Sequence, residues 1–255
     1  MAATAGSGAA PGSKGVGIEG VFVTGTGTEV GKTVVAAAIA HSLVAEGQRV
    51  AVFKPAVTGL DDYPADGPET GAGVAFSAHR PDHEVLRRAA GSQQRDEEIA
   101  PYRYGPPMSP HLAAAQADEA IERRRLLDAA RAAGADADVL VCEGVGGLLV
   151  PLSLDPPYLV RDFAADLGLP LVVAASPSLG TINHTLLTLE AARAAGLDVA
   201  AVVLTPWPEN PSPIELSNRE TIAALGQVEV ETLATLDLSA PHTWPMGRLF
   251  RDIHG

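Results

Sequence analysis

Residues 25–33 read Gly-Thr-Gly-Thr-Glu-Val-Gly-Lys-Thr, directly after the apolar run 20–24 and directly before an Ala-rich stretch with helical character. A glycine-rich turn that ends a strand and opens a helix gathers backbone N–H groups and the positive end of the helix at one point, which is the geometry of a phosphate site. Lys32 would neutralise charge on the β- and γ-phosphates, and the Thr33 hydroxyl would reach a Mg²⁺ ion. The usual spacing puts a glycine six residues before the lysine. Thr26 stands there instead, with glycines at 25 and 27 on either side. A Gly-Lys-Thr can arise by chance in any glycine-rich turn, so it is the strand and helix flanks that favour nucleotide binding here.

The rest of the chain keeps the same rhythm. Short Val- and Leu-rich runs at 20–24, 50–53, 139–142, 171–174 and 199–204 alternate with helical stretches. The helical stretches lie at 32–46, 82–90, 110–117, 121–133, 160–167, 181–195 and 214–225. Continuous apolar strands separated by helices predict an α/β fold of the P-loop NTPase type, a mainly parallel sheet with helices on both faces. Gly47, Gly134, Gly168 and Gly196 follow or close helical stretches, where a left-handed residue can end a helix. Residues 60–80 break the rhythm with Gly, Asp, Ala and Pro and read as a long surface loop. Residues 1–17 are Ala, Gly, Ser and Pro without an apolar core, so they read as a disordered leader ahead of a single domain over residues 18–255.

Composition removes several classes of function. The chain has 255 residues, 18 Lys and Arg against 31 Asp and Glu, and a net charge of -13. That balance opposes a broad positive surface and so excludes nucleic acid and anionic membranes as partners. A single cysteine, Cys142, allows no internal disulfide and no multi-cysteine metal site, which fits a cytoplasmic location. No apolar run approaches the length of a membrane span. His79 and His83 flank Asp82, but a third ligand for a transition metal is missing from the sequence pattern, and a zinc site is not expected.

Only three lysines occur, Lys14, Lys32 and Lys54, against fifteen arginines. Outside the leader both lysines follow strands, Lys54 within Phe53-Lys54-Pro55-Ala56-Val57-Thr58-Gly59. Ligands of open α/β sheets bind beyond the carboxyl ends of the strands, and a compact ammonium suits a crowded phosphate or carboxylate site. The run 139–142 leads into Glu143-Gly144-Val145-Gly146-Gly147, an acid at a strand end that can reach the Mg²⁺ of the loop threonine. A second acid is expected after the second strand, and Asp61, Asp62, Asp66 and Asp82 all qualify. Residues 179–184, Leu-Gly-Thr-Ile-Asn-His, open a helix whose free N–H groups either hold a substrate carboxylate or are simply capped.

Together these segments resemble the ATP-dependent dethiobiotin synthetase family over residues 18–208. The match rests on five ordered blocks: 23–33, Lys54-Pro55 with Thr58-Gly59, Ser109-Pro110-His111, 143–147 and 179–184. The displaced glycine of the phosphate loop is similar to that family's own form. The resemblance implies an ATP- and Mg²⁺-dependent ligase that closes a ureido ring on 7,8-diaminopelargonate with CO₂. It implies Lys32 and Lys54 as catalytic cations and Thr33, Asp82 and Glu143 as Mg²⁺ ligands. Nucleotide contacts would come from Glu29, Val30, Gly31, Lys32, Thr33, Val34, Asp82, Glu143, Gly144, Val145, Gly146, Thr205 and Pro206. Thr28 and Thr58 would meet the diamine, and Thr181, Ile182 and Asn183 its carboxylate, the last three from the second subunit of a homodimer. The chain departs from the family's pattern in a longer 60–80 loop, in Val145 where alanine is common, and in Thr205-Pro206-Trp207-Pro208 where an Asn-Asp pair often stands at the base site. Residues after 226 match weakly, with 234–236 as the base-lining guess. The rival reading is a partitioning or assembly ATPase acting as a nucleotide-dependent switch. Such proteins carry an extra lysine five residues before the loop lysine, and that residue is Gly27 here.

Overall fold

A computed structural model of the chain describes residues 19–63, 80–237, 240 and 244. The expected leader, residues 64–79 of the expected loop, Asp66 and His79 lie outside that set.

The order of elements is β1 (Gly20–Gly25), α1 (Lys32–Ala45), β2 (Val50–Phe53), a 3-10 turn (Leu60–Asp62), α2 (Asp82–Ala89), α3 (Asp96–Ile99), α4 (Pro110–Gln116) and α5 (Arg123–Gly134). There follow β3 (Val139–Glu143), β4 (Pro151–Leu154), β5 (Pro157–Leu159), α6 (Val160–Leu167), β6 (Leu171–Ala175), α7 (Thr181–Ala194), β7 (Val199–Trp207), α8 (Pro213–Gly226) and β8 (Glu229–Ala234). Six strands form one sheet in the order β2-β3-β1-β6-β7-β8, every pairing parallel. β4 and β5 make a separate antiparallel ribbon.

Alternation along β1 explains the layering. Val21 and Val23 point to the face covered by α1 and α2, with Val35, Ile39 and Leu86. Phe22 points to the other face, with Phe53, Leu126 and Phe163 from β2, α5 and α6. Phe22 and Phe163 meet edge-on at 6.0 Å, and replacing either by Ala would cost about 3–5 kcal/mol. A third cluster under α7 and α8 joins Val173, Leu189, Val202 and Ile222. Both faces of the sheet are therefore covered, as its unbroken apolar strands require.

Four departures from the sequence expectation have local causes. β8 carries Glu229 and Glu231 on an edge, which breaks the apolar run that marks a buried strand. β4 and β5 each begin at proline and are only four and three residues long. α3 is a single turn. β7 runs on to Trp207, beyond the expected end at residue 204. Gly47, Gly168 and Gly196 do take positive φ, whereas Gly134 closes the last turn of α5 and the chain leaves through Ala135 in a right-handed conformation. α1 is buried around most of its circumference, Val35 through Ala40 included, because the sheet covers one side and α2 another.

β1 lies between β3 and β6, and the chain leaves it toward β2 on one side and later toward β7 on the other. Such a reversal opens a crevice at the carboxyl ends of the strands, the point where α/β sheets bind ligands.

Candidate active site

Sequence dictates the loop between β1 and α1 residue by residue. Gly31 has φ 88°, a left-handed conformation that costs a side-chain-bearing residue energy, and a Cβ there would stand 2.5 Å from Thr205 Cγ2. Only glycine lets the first turn of α1 approach the end of β7. Glu29 also takes a positive φ of 59°, so the loop turns twice without a glycine at position 26. Lys32 lies 8% exposed, and its Nζ donates to the Gly27 carbonyl at 2.7 Å, closing the loop on itself.

Three strand ends meet beside this loop. Lys54 follows β2, is 3% exposed, and its Nζ lies 2.5 Å from Glu143 Oε1 and 2.7 Å from Asp82 Oδ2. Glu143 ends β3 fully buried, and its Oε1 also accepts the Thr33 hydroxyl at 2.9 Å. Asp82 opens α2 and pairs with Lys54 beside the Thr33 hydroxyl. Of the acids that the sequence left open, Asp82 is the one beside Lys54, while Asp61 sits against Gly105, where a Cβ would come 2.3 Å from its Oδ1.

Electrostatics follow from this contact set. Burial would lower the Lys54 pKa, but the carboxylates of Asp82 and Glu143 outweigh it and raise it. Burial would raise Asp82, but the Lys54 ammonium and the Thr33 hydroxyl hold its carboxyl below the usual range. Glu143 is fully buried, so burial pushes its carboxyl up against the opposing pull of Lys54. Lys32 is lowered by burial and by the charge of Lys54. Four formal charges of alternating sign thus share one small region, held by strands whose positions the core fixes.

Glu143 Oε2 is buried without a hydrogen-bond partner. An orphaned carboxylate oxygen beside a threonine hydroxyl and a second carboxylate is a hard-oxygen donor set, the chemistry that Mg²⁺ takes together with phosphate oxygens and water. The residues present fit that ion.

These groups line a cavity of about 900 Å³. Of the residues singled out in the sequence, Thr28, Glu29, Gly31, Lys32, Thr33, Val34, Lys54, Thr58, Asp82, Glu143, Val145 and Gly146 all lie on its wall. Val30, Gly144, Thr205 and Pro206 do not, although Thr205 packs against Gly31. Thr181, Ile182 and Asn183 lie elsewhere, in the first turn of α7. A second hollow of about 440 Å³ separates α7 from the phosphate loop, walled by residues including Thr26, Leu149, His184 and Leu187. The far wall of the main cavity, formed by Tyr63, Pro107, Met108, Ser109, Pro110 and Val150, was not anticipated. One signal was available, because Ser109-Pro110-His111 is one of the five matching blocks, yet nothing local tied it to the loop.

A strand, a glycine loop closed by lysine, and a helix, with an acid ending the neighbouring strand, define a P-loop nucleotide-binding α/β protein. A family model described as "AAA domain" matches residues 19–245. Relatives named "ATP-dependent dethiobiotin synthetase BioD" match over most of their length. That of Bacillus cereus (strain B4264) is 38% identical over 213 residues, 84% of this chain and 81% of the relative. That of Mycobacterium sp. (strain KMS) is 39% identical over 222 residues, 87% and 90% of the two chains. The chain belongs to the ATP-dependent dethiobiotin synthetase family, a family of ATP-dependent ligases. Among solved structures, a ParA family ATPase from Chlorobium tepidum TLS aligns with TM-score 0.51 and 16% identity, covering 88% of this chain and 86% of that one. At that identity the likeness concerns the fold alone, so it lends the partitioning reading no support beyond architecture. No helix among the described residues is long and apolar enough to cross a membrane.

Proposed function

We propose that the protein makes dethiobiotin from 7,8-diaminopelargonate, CO₂ and ATP. One amine adds to CO₂ to give a carbamate and releases a proton. A carbamate oxygen then attacks the γ-phosphorus of ATP, ADP leaves, and a carbamic-phosphoric anhydride forms. The second amine attacks the anhydride carbon, phosphate leaves, and the ureido ring closes. The observation that carries this reading is Lys54, a buried ammonium held by Asp82 and Glu143 within the cavity that the phosphate loop opens onto.

In this reading Lys32 and Lys54 neutralise charge on the carbamate and the transferring phosphoryl group. The remaining work is positioning. Thr33, Asp82 and Glu143 would hold Mg²⁺, which would supply positive charge against the phosphates. Thr28 and Thr58 would orient the diamine end. Residues 29–34, with Gly144 to Gly146, would cradle the phosphates, and Thr205-Pro206 would border the base.

Thr181, Ile182 and Asn183 would receive the substrate carboxylate from a second copy of the chain. Support for a dimer comes from Leu149, Leu179 and Leu187, which are 57%, 89% and 55% exposed around the phosphate loop and α7, an apolar surface of the kind that a partner covers. Sedimentation of the protein as a monomer at assay concentration would remove the second copy from the site.

The test is incubation with diaminopelargonate, bicarbonate and Mg-ATP, followed by mass detection of dethiobiotin. Formation of product together with ADP is expected. ATP binding without product would overturn the proposal.

A further inference from the structure

Asn218 stands where the pattern of α8 calls for an apolar residue. The helix buries Asn218, Ile222 and Gly226, spaced four apart on one face. Asparagine is a poor helix former in a helix interior, and a buried amide costs free energy unless its hydrogen-bonding groups are met. Asn218 is 5% exposed, and its amide is met from outside its own helix. Nδ2 donates to Pro177 O at 2.9 Å and to Ser178 O at 3.3 Å, both in the turn that joins β6 to α7. Two carbonyl acceptors use both hydrogens of the amide.

That turn leads straight into residues 181–183. Pro177 is buried, but Ser178, Leu179 and Gly180 are exposed and supply little packing to hold the backbone. Bonds inside the turn set its shape: Ser178 N donates to Ser176 Oγ at 3.3 Å and Thr181 N to Ser178 O at 3.2 Å. They do not set its position over the sheet. Among the described residues, the side-chain hydrogen bonds that tie this turn to another element are those of Asn218. The first N–H groups of a helix have no partner within it, and the N-cap of α7 is Gly180, which has no side chain to take them.

We propose that Asn218 is a positioning residue for recognition of the substrate carboxylate: it anchors the turn that aims the first N–H groups of α7, without touching substrate itself. This rests on the carboxylate contact proposed above for residues 181–183, and through it α8 of one copy sets how the neighbouring copy selects its diamine. Hydrogen bonds to a charged acceptor are strong only while donor and acceptor stay aligned. Loss of the anchor therefore weakens recognition of the carboxylate. It leaves the reacting amines and the nucleotide, which meet the phosphate loop and the ends of β2 and β3, undisturbed.

The full-length protein is assayed with diaminopelargonate and with the matching diaminononane, whose terminal methyl replaces the carboxylate, each varied at saturating bicarbonate and Mg-ATP. The KM for ATP and thermal unfolding are measured beside them. Wild type should prefer diaminopelargonate about tenfold or more, the scale of one hydrogen bond to a charged group. Asn218→Ala is expected to lower kcat/KM for diaminopelargonate about 5–20-fold on that scale, with kcat/KM for diaminononane and the KM for ATP within about twofold of wild type. Asn218→Leu fills the same space and suits the apolar face of α8 but lacks the donors, so it should fold and share the selective loss. The inference is overturned if Asn218→Leu keeps the wild-type preference for the acid. It is equally overturned if both diamines and ATP lose together, the result of a purely structural role. A wild type that uses both diamines equally overturns the carboxylate contact and the role of Asn218 with it. A wild type that yields no dethiobiotin overturns the proposed reaction itself.

Discussion

Replacing Lys54 should cost the protein stability as well as turnover, because its ammonium is the only cation within hydrogen-bond reach of Glu143 among the described residues. Glu143 is fully buried and its Oε2 is already without a partner. Lys54→Met keeps most of the side-chain volume and removes the charge, which leaves Glu143 with only the Thr33 hydroxyl. Breaking a buried ion pair by removing one partner costs about 3–5 kcal/mol, and in a domain of this size about 1 kcal/mol moves the melting temperature by 2–4 °C. A fall of roughly 6–20 °C is therefore expected for Lys54→Met. Glu143→Gln removes the other charge, and the double variant leaves no uncompensated charge between the two positions. If desolvated charge is the cause, the double variant should regain about half or more of what Lys54→Met loses, a positive coupling of about 1–3 kcal/mol. The assay is a double-mutant cycle by urea or thermal unfolding at pH 7 in low salt. Turnover should fall by about 10²-fold or more in both variants carrying Lys54→Met, the scale of losing one charge-stabilising donor. A melting temperature within 2 °C of wild type for Lys54→Met would refute the structural reasoning, that margin being about 1 kcal/mol or less. Additive losses in the double variant would refute the claim that Lys54 and Glu143 act as a pair.

Gly31→Ala puts a methyl group 2.5 Å from Thr205 Cγ2 at a φ of 88°. ATP affinity measured by calorimetry should fall about tenfold or more, since strain and displacement of this kind cost about 1–3 kcal/mol; unchanged affinity would show that α1 does not need this close approach. On β8, burial and the neighbouring Glu229 push Glu231 from 4.5 up to about 7. Its folded pKa lies above its unfolded value, so its contribution to stability is complete below 4.5 and lost as pH rises through 7. Glu231→Gln should therefore gain on wild type in melting temperature between pH 5 and 8, by no more than about 1 kcal/mol at this partly exposed site; parallel pH profiles would sink the idea. At the proposed base border, Pro206 has no N–H and Thr205 is buried against Gly31. A site without an amide to read the base edge discriminates weakly, so kcat/KM for ATP, CTP and GTP should lie within about tenfold of one another, and a preference of about 10³-fold would count against it.

What could be seen in the sequence divides along the line between local and non-local physics. The phosphate loop is local, since strand, glycines, lysine and helix are consecutive, and residues 25–33 form it as expected. Lys54 and Glu143 were legible for a related reason: a polar residue directly after a buried strand must emerge at the sheet's carboxyl edge, wherever the strand sits in the sheet. Asp82 was only one of four acids, because nothing in the spacing says that the first turn of α2 swings back to Lys54. The wall at residues 107–110 and 150 was marked only by the Ser109-Pro110-His111 block, which nothing local ties to the phosphate loop. It depends on residues 102–106 pairing with 57–61 and on the turn before β4, contacts between segments some forty or more residues apart. β8 was missed because an edge strand tolerates the charges that a central one excludes.

The same division explains how a chain of net charge -13 can hold a polyanion. Arginine serves the surface, where Arg49 meets Asp138 and Arg123 meets Asp166 in exposed forked pairs, each worth about 0–1 kcal/mol. Lysine is absent from those pairs and stands at the ends of the site, one on the phosphate loop and one after β2. A guanidinium at position 54 would supply the charge, but its planar fork would occupy space within the cavity. The ammonium is small enough to touch acids from two elements at one point, 2.5 Å from Glu143 and 2.7 Å from Asp82. Two lysines and two acids leave the site close to neutral before any ligand enters. In the proposed reaction the attraction for phosphate would then come from the backbone N–H groups of residues 27–33, the start of α1 and the metal ion that Glu143, Asp82 and Thr33 would hold. Those sources are short-ranged and oriented, and so insensitive to the acidic surface that surrounds them.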